Sequence, residues 1–181
     1  MRINVIDPVF LADQHLIAEY RELKMLPKSL LRSLYSKHGF DEKKVPKGYT
    51  LNKGHGYFFY DKIGFIKLRF NQILIEMRRR GFQCNFDTLP LENIPECYFG
   101  NYSITDDAKL INLERIRLRI NLKPTWFKYM GGPMTRFDWE ILYKRYYDQD
   151  GLEFNTISEI KNDPIDDLRY IKIYEKTKIK G

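Results

Sequence analysis

The chain has 181 residues, with 31 Lys and Arg against 24 Asp and Glu, which gives a net charge of +7 and a pI near 9.3. This is the length of one domain, which excludes most multidomain enzymes. The excess of basic residues excludes an acidic disordered tail. A composition of 43% hydrophobic and 15% aromatic residues is enough for a packed core. The sequence contains no apolar window near 18 residues and no leader-like start, so we expect no membrane span and a cytoplasmic protein, in a bacterium or a phage-infected cell.

The basic excess belongs to the first part of the chain. Residues 1–132 hold 22 basic and 14 acidic residues, net +8, whereas residues 133–181 hold 9 and 10, net −1. A polyanion such as DNA or RNA should therefore bind the first part. The two cysteines, Cys84 and Cys97, lack the spacing of metal ligands, and we expect free thiols and no zinc site.

The first predicted helix covers residues 8–23. Asp7 is a suitable cap and Pro8 fits a first turn, where its missing N–H costs nothing. An apolar stripe has the spacing i, i+4 and i+7: Leu16, Tyr20 and Leu23. A polar stripe beside it has the same spacing: His15, Glu19 and Glu22.

Two longer helices follow. Residues 39–56 form a predicted basic loop, and a helix over 60–80 ends at three arginines and Gly81. Its apolar positions follow one face: Ile66, Phe70, Ile73, Leu74 and Met77. Residues 82–104 are predicted to be irregular.

The third predicted helix covers 105–121, with Leu113, Ile116 and Ile120 facing inward. On it Arg115 and Arg119 are one turn apart. A basic aromatic strand or coil, residues 123–132, then follows.

The last part, 133–181, differs in character. We predict a short aromatic helix, 137–147, and a β-prone end, 169–176. The sequence thus predicts a mainly α protein: a compact three-helix domain with long irregular loops, 1–132, and a small α+β C-terminal extension, 133–181, of unknown role.

Four blocks, in order, resemble the pyrimidine-dimer DNA glycosylase family, of the type of endonuclease V of the T-even bacteriophages. The first block opens the chain: Arg2-Ile3-Asn4, Leu11 to Leu16, and Ala18 to Leu23. The others are Gly54-His55 with Phe58 to Lys62, Arg80-Gly81-Phe82, and Pro124-Thr125-Trp126 with Lys128-Tyr129. The resemblance covers residues 1–132 and fails beyond them.

The resemblance implies a glycosylase whose nucleophile is the chain's own α-amino group. An α-amine has a reference pKa of about 7.7–8.0 against about 10.4 for lysine, so far more of it is neutral at pH 7. In the family the amine attacks the sugar carbon that bears the damaged base, and the resulting imine leads to strand cleavage by β-elimination. No metal or organic cofactor is needed.

The resemblance places this amine on Met1. Family members begin one residue earlier and lose their Met, whereas here the long side chain of Arg2 favours retention of Met1. Met1 then stands in the register of the family nucleophile, 21 residues before Glu22, the expected catalytic acid. Were Met1 removed, the amine of Arg2 would be about 3 Å too close along the chain.

The resemblance also implies a DNA-binding set: Arg2, Gln14, His15, Arg21, Lys28, Arg115, Arg119, Trp126, Lys128 and Tyr129. Arg21 would hold a phosphate, and Arg115 and Arg119 would face the DNA backbone. A structural hydrogen bond for His15 and a core position for Trp126 remain equal alternatives. The family's phosphate-binding arginine has either become Met25 or shifted to Lys28. His15 and Glu19, at i and i+4, are a weak alternative as metal ligands.

We therefore expect a monomeric repair glycosylase and abasic-site lyase that acts on ultraviolet-induced cyclobutane pyrimidine dimers in duplex DNA. One alternative is the same chemistry directed at another modified base or at abasic sites only. The other is a DNA-binding module without catalysis.

Overall fold

The computed structural model describes residues 2–51 and 53–152. Six α-helices and one two-stranded ribbon are found in these ranges: α1 Asp13–Leu23, α2 Met25–Leu34, α3 His55–Phe58, α4 Ile63–Arg79, α5 Asp106–Leu122, α6 Arg136–Asp150, β1 Lys128–Tyr129 and β2 Gly132–Pro133. Short 3₁₀ turns lie at Pro8–Phe10, Glu42–Lys44 and Glu96–Tyr98. The mainly α class is confirmed. Met1 and the predicted β-prone end, 169–176, lie outside the described residues.

The predicted helix over 8–23 is interrupted. Asp7 caps the 3₁₀ turn by accepting from the Val9 N–H at 2.9 Å, but Leu11 and Ala12 are extended and α1 begins at Asp13. The Arg80 guanidinium donates to the carbonyls of Pro8, Val9 and Leu11. A continuous helix would need those carbonyls for its own N–H groups, so this buried arginine replaces the helical bonds.

The second predicted helix is confirmed as α4, and all five of its predicted core positions are buried. It ends where Gly81 takes a left-handed φ of 75°, and the Phe82 N–H donates back to the Met77 carbonyl. The third predicted helix is α5, which begins after the cap residue Thr105 and buries Leu113, Ile116 and Ile120.

α2 was not predicted. It follows α1 after Lys24, and Pro27 lies in its first turn, where a missing N–H is tolerated. Leu26, Pro27 and Leu30 are buried on its inner face.

α6 extends the predicted aromatic helix at both ends. A capping box between Thr135 and Asp138 begins it, and four aromatic residues bury one face: Trp139, Tyr143, Tyr146 and Tyr147. α6 packs against α5 and against the 3₁₀ turn at Pro8–Phe10, where the rings of Phe10 and Tyr146 are 4.9 Å apart. α1 packs mainly against α4, and the core is continuous from α1 to α6.

Candidate active site

The start of the chain is held by side chains from distant elements. The backbone N–H of Arg2 donates to Glu22 Oε2, on the last turn of α1. The N–H of Ile3 donates to His55 Nε2 at 2.8 Å, and the Ile3 carbonyl accepts from the Tyr49 hydroxyl at 2.9 Å. The chain therefore enters the fold directly beside the carboxylate of Glu22.

The next residues are fixed in the same way. The N–H of Asn4 donates to Glu19 Oε1 at 3.1 Å, and the N–H of Val5 donates to Asn112 Oδ1 at 2.8 Å. The side chains of Asn4 and Asn112 are themselves joined at 2.8 Å. Arg69 pairs with both oxygens of Glu19 and donates to the Ile6 carbonyl at 2.7 Å. We call the side chains that hold residues 2–6 the cradle: Glu19, Glu22, Tyr49, His55, Arg69 and Asn112.

His55 acts in the cradle as a neutral ring. Its Nε2 accepts from the Ile3 N–H, so its Nδ1 carries the proton and donates to the Thr50 carbonyl. Burial lowers the pKa of His55 to about 4, which keeps the acceptor available at neutral pH.

Glu19 has no capacity left for a metal. Its carboxylate is fully buried and is neutralised by Arg69. Within residues 2–51 and 53–152, no group of three or more His, Cys, Asp or Glu side chains is arranged to hold a metal ion.

Four of the predicted DNA-binding residues surround one small cavity beside the cradle: Arg2, His15, Arg115 and Arg119. Arg115 is fixed there by a 3.0 Å bond from its Nη1 to the Leu51 carbonyl. Three guanidinium groups around one opening create a positive potential, the property expected of a phosphate-binding surface.

His15 is the buried wall of this cavity. Its ring packs against Phe127 with centroids 4.7 Å apart, and among the described residues neither ring nitrogen has a hydrogen-bond partner. Burial, together with the nearby charge of Arg2, lowers the pKa of His15 to about 3, so the ring is neutral. His15 therefore makes no structural hydrogen bond within the part of the chain that the structure describes, which is contrary to that alternative.

The structure places Arg21 and Lys28 at the solvent surface, away from the cavity lining. Arg21 lies on the last turn of α1 next to Glu22, and Lys28 lies on α2. Met25, which stands near the position of the family arginine, is also 53% exposed.

The remaining predicted residues belong to residues 126–131, which we call the aromatic arm. Trp126 is 58% exposed, which is contrary to a core position, and Lys128 is exposed beside it. Gln14 and Tyr129 contact protein groups: Gln14 binds the backbone of the arm, and the Tyr129 hydroxyl donates to the Val9 carbonyl at 2.9 Å.

Residues 1–89 match the family model of pyrimidine dimer DNA glycosylases. These residues belong to that family. The resemblance drawn from the sequence is thereby confirmed over the segment that supplies Glu22, His55 and most of the cradle. The family supports a DNA repair glycosylase that acts on pyrimidine dimers, with DNA as the substrate. In residues 2–51 and 53–152, no helix is long and apolar enough to cross a membrane.

Most of the cradle is not predicted from the sequence. His55 belongs to a family block for which no role is implied, and Asn112 and Arg69 belong to no candidate site. The sequence does contain an indication of their role. Each is a polar residue at an inward position of its helix, and a buried polar group needs a hydrogen-bond partner. Pattern alone does not identify that partner, which lies 50 or more residues away along the chain.

Proposed function

We propose that this protein is a bifunctional enzyme, a pyrimidine-dimer glycosylase that is also an abasic-site lyase, and that the α-amino group of Met1 is its nucleophile. The observation that carries the proposal is the hydrogen bond from the Arg2 backbone to Glu22. The residue after the nucleophile is thus fixed against a carboxylate.

In the first step the neutral amine attacks C1′ of the damaged nucleotide. The N–C1′ bond forms, the glycosidic bond breaks, and the base leaves with the bonding electrons. The nitrogen then loses one proton and keeps the other. The C1′–O4′ bond breaks, O4′ takes up a proton as the sugar ring opens, and a protonated imine joins the chain to C1′. Glu22, within reach of this centre, would stabilise the cationic sugar and carry protons between nitrogen and sugar oxygen.

In the second step the imine acidifies the hydrogens on C2′. A proton leaves C2′, the electrons form a C=C bond, and the 3′ phosphate departs, which cuts the strand. Water then hydrolyses the imine and regenerates the amine. These steps require no metal ion or organic cofactor.

The cradle supports this chemistry because covalent catalysis depends on position. Residues 2–6 are held at five backbone N–H groups and two carbonyls by side chains of the protein. A residue adjacent to such a segment has little freedom to move away from Glu22, and positioning can supply several kcal/mol, about 7–11 in the best intramolecular cases. The cavity of Arg2, Arg115 and Arg119 would bind the phosphates that flank the lesion.

Borohydride trapping on abasic duplex DNA tests the proposal. Hydride from borohydride reduces the imine to a stable amine, so an enzyme that uses its amine becomes covalently attached to the DNA. We expect trapping by the wild-type protein and none after acetylation of the terminus. An unattached wild-type protein would favour the DNA-binding module without catalysis.

A panel of oligonucleotides tests the lesion. We expect faster cleavage of a duplex with a cyclobutane thymine dimer than of duplexes with single altered bases. A preference for another base, or cleavage of abasic sites alone, would retain the imine chemistry but exclude the dimer as the substrate.

A further inference from the structure

The first turn of α1 holds the aromatic arm. The two ends of the Gln14 side-chain amide bind backbone groups on either side of Phe127. Nε2 donates to the Trp126 carbonyl at 2.7 Å, and Oε1 accepts from the Lys128 N–H at 3.0 Å. Such a two-point contact fixes the orientation of the arm as well as its distance from α1.

The neighbouring residue Asp13 holds the other end of the arm. Its carboxylate accepts from the N–H groups of Met130 and Gly131, at 3.1 and 2.8 Å, and is paired with Arg80 at 2.8 Å. Both turn residues have positive φ, 51° for Met130 and 80° for Gly131, as the two-residue connection of a tight hairpin requires.

With the arm held in this way, its successive side chains are alternately exposed to solvent and packed against the protein. Phe127 is buried against His15, and Tyr129 lies under the Arg80 guanidinium with 4.7 Å between the guanidinium carbon and the ring centre. Trp126, Lys128 and Met130 are exposed on the opposite side. An exposed tryptophan next to a lysine is suited to stack on a base beside a phosphate.

We propose that Gln14 is a positioning residue, which aims Trp126 at the DNA through the arm's backbone and is not itself a DNA contact. The inference rests on the proposed function for the identity of the ligand. Gln14 and Glu22 are on one helix, eight residues and about 12 Å apart. α1 therefore sets the distance between the stacking side chain and the catalytic carboxylate.

A double-mutant cycle on duplex affinity separates the two roles. The probe is a duplex with a tetrahydrofuran site, which the enzyme binds but does not cleave. We expect Gln14→Ala and Trp126→Ala each to weaken binding about 10-fold, the scale of one lost stacking contact. In the Trp126→Ala background, Gln14→Ala should weaken binding less than 2-fold further. The same loss in both backgrounds would overturn the proposal and indicate a direct contact.

Gln72→Ala is the matched control, because Gln72 is an exposed glutamine on α4, and it should leave affinity unchanged. If Gln14→Ala does not fold, Gln14→Met replaces it in the cycle. The methionine is uncharged and similar in length, and it loses both hydrogen bonds to the arm. Acrylamide quenching of the free protein adds a second readout, since a misdirected Trp126 should change its quenching before DNA is added.

The outcome is independent of the proposed chemistry. Affinity for the uncleaved duplex reports on Gln14 whether or not an imine forms. Failure of wild-type trapping by borohydride would refute the proposed function and leave the cycle interpretable.

Discussion

At the scale of single residues, Glu22 and His55 hold consecutive backbone groups at the start of the chain. Glu22 receives the N–H of Arg2 and His55 receives the N–H of Ile3. Their proposed roles differ, because Glu22 is the proposed catalytic acid whereas His55 contacts only the backbone of residue 3. Two substitutions separate these roles.

Glu22→Gln tests the catalytic role. The glutamine is isosteric but carries no charge and is a poor proton acceptor, so the cationic sugar loses its stabilising partner. We expect base excision in single-turnover assays to fall by about 10²-fold or more, with duplex affinity retained. Glu92→Gln, at an exposed position, is the control and should be neutral. Excision at the wild-type rate would exclude Glu22 from the reaction.

His55 and His15 predict how the free energy of unfolding depends on pH. Burial lowers the pKa of His55 to about 4 and that of His15 to about 3, whereas both rings titrate near 6.5 in the unfolded chain. Between pH 6.5 and about pH 4, the two rings therefore bind protons in the unfolded state but remain neutral in the folded state. The stabilisation is complete above pH 6.5 and is lost as the pH falls toward 4.

Urea unfolding between pH 7.5 and 4 measures this effect. As the pH falls from 6.5 to 4, the free energy of unfolding should decrease by about 3 kcal/mol for each of the two rings. His55→Gln, which retains an acceptor for Ile3, should reduce the slope by about one proton, and His38→Gln on the surface should not change it. A slope unaffected by His55→Gln would show that His55 is not the titrating group.

At the scale of the elements, α6 is part of the core rather than a separate layer. Trp139 and Tyr143 are buried, and Arg117 of α5 is paired with Glu140 of α6 at 2.9 Å. Tyr147 also donates to Glu114 of α5 at 2.7 Å. The first helix of the predicted extension therefore stabilises the face of α5 opposite to the arginines of the cavity.

Trp139→Ala should lower the free energy of unfolding by about 3–5 kcal/mol, the usual cost of removing a large buried aromatic side chain. Phe137→Ala on the same helix is the control, because Phe137 is 73% exposed and its loss should change stability by no more than about 0.5 kcal/mol. Denaturant unfolding measures both. Equal small effects would mean that α6 does not contribute to the core.

At the scale of the whole molecule, the basic residues should govern affinity for DNA. The excess of charge lies in residues 1–132, and three arginines surround the cavity beside the cradle. Phosphate contacts of this kind are independent of sequence and weaken with salt, because binding releases the counterions of the duplex.

Arg119→Ala should therefore weaken binding to damaged and undamaged duplex alike. The slope of log affinity against log salt should become shallower by about 0.9, the value for one phosphate contact. Titrations at several salt concentrations measure it. A loss confined to damaged DNA would contradict a phosphate role and favour a contact with the lesion.

The sequence by itself determined the helical class, the core faces of α4 and α5, and the family. It did so because helical periodicity, caps and family blocks are local patterns that need no partner. Only the tertiary structure decided where the first helix begins and what holds the chain's start. Arg80 replaces helical bonds at Pro8, Val9 and Leu11, and His55 and Asn112 reach residues 52 and 107 positions away. A side chain that hydrogen-bonds to a distant backbone group produces no periodic pattern in the sequence, because tertiary packing determines which backbone group lies within its reach.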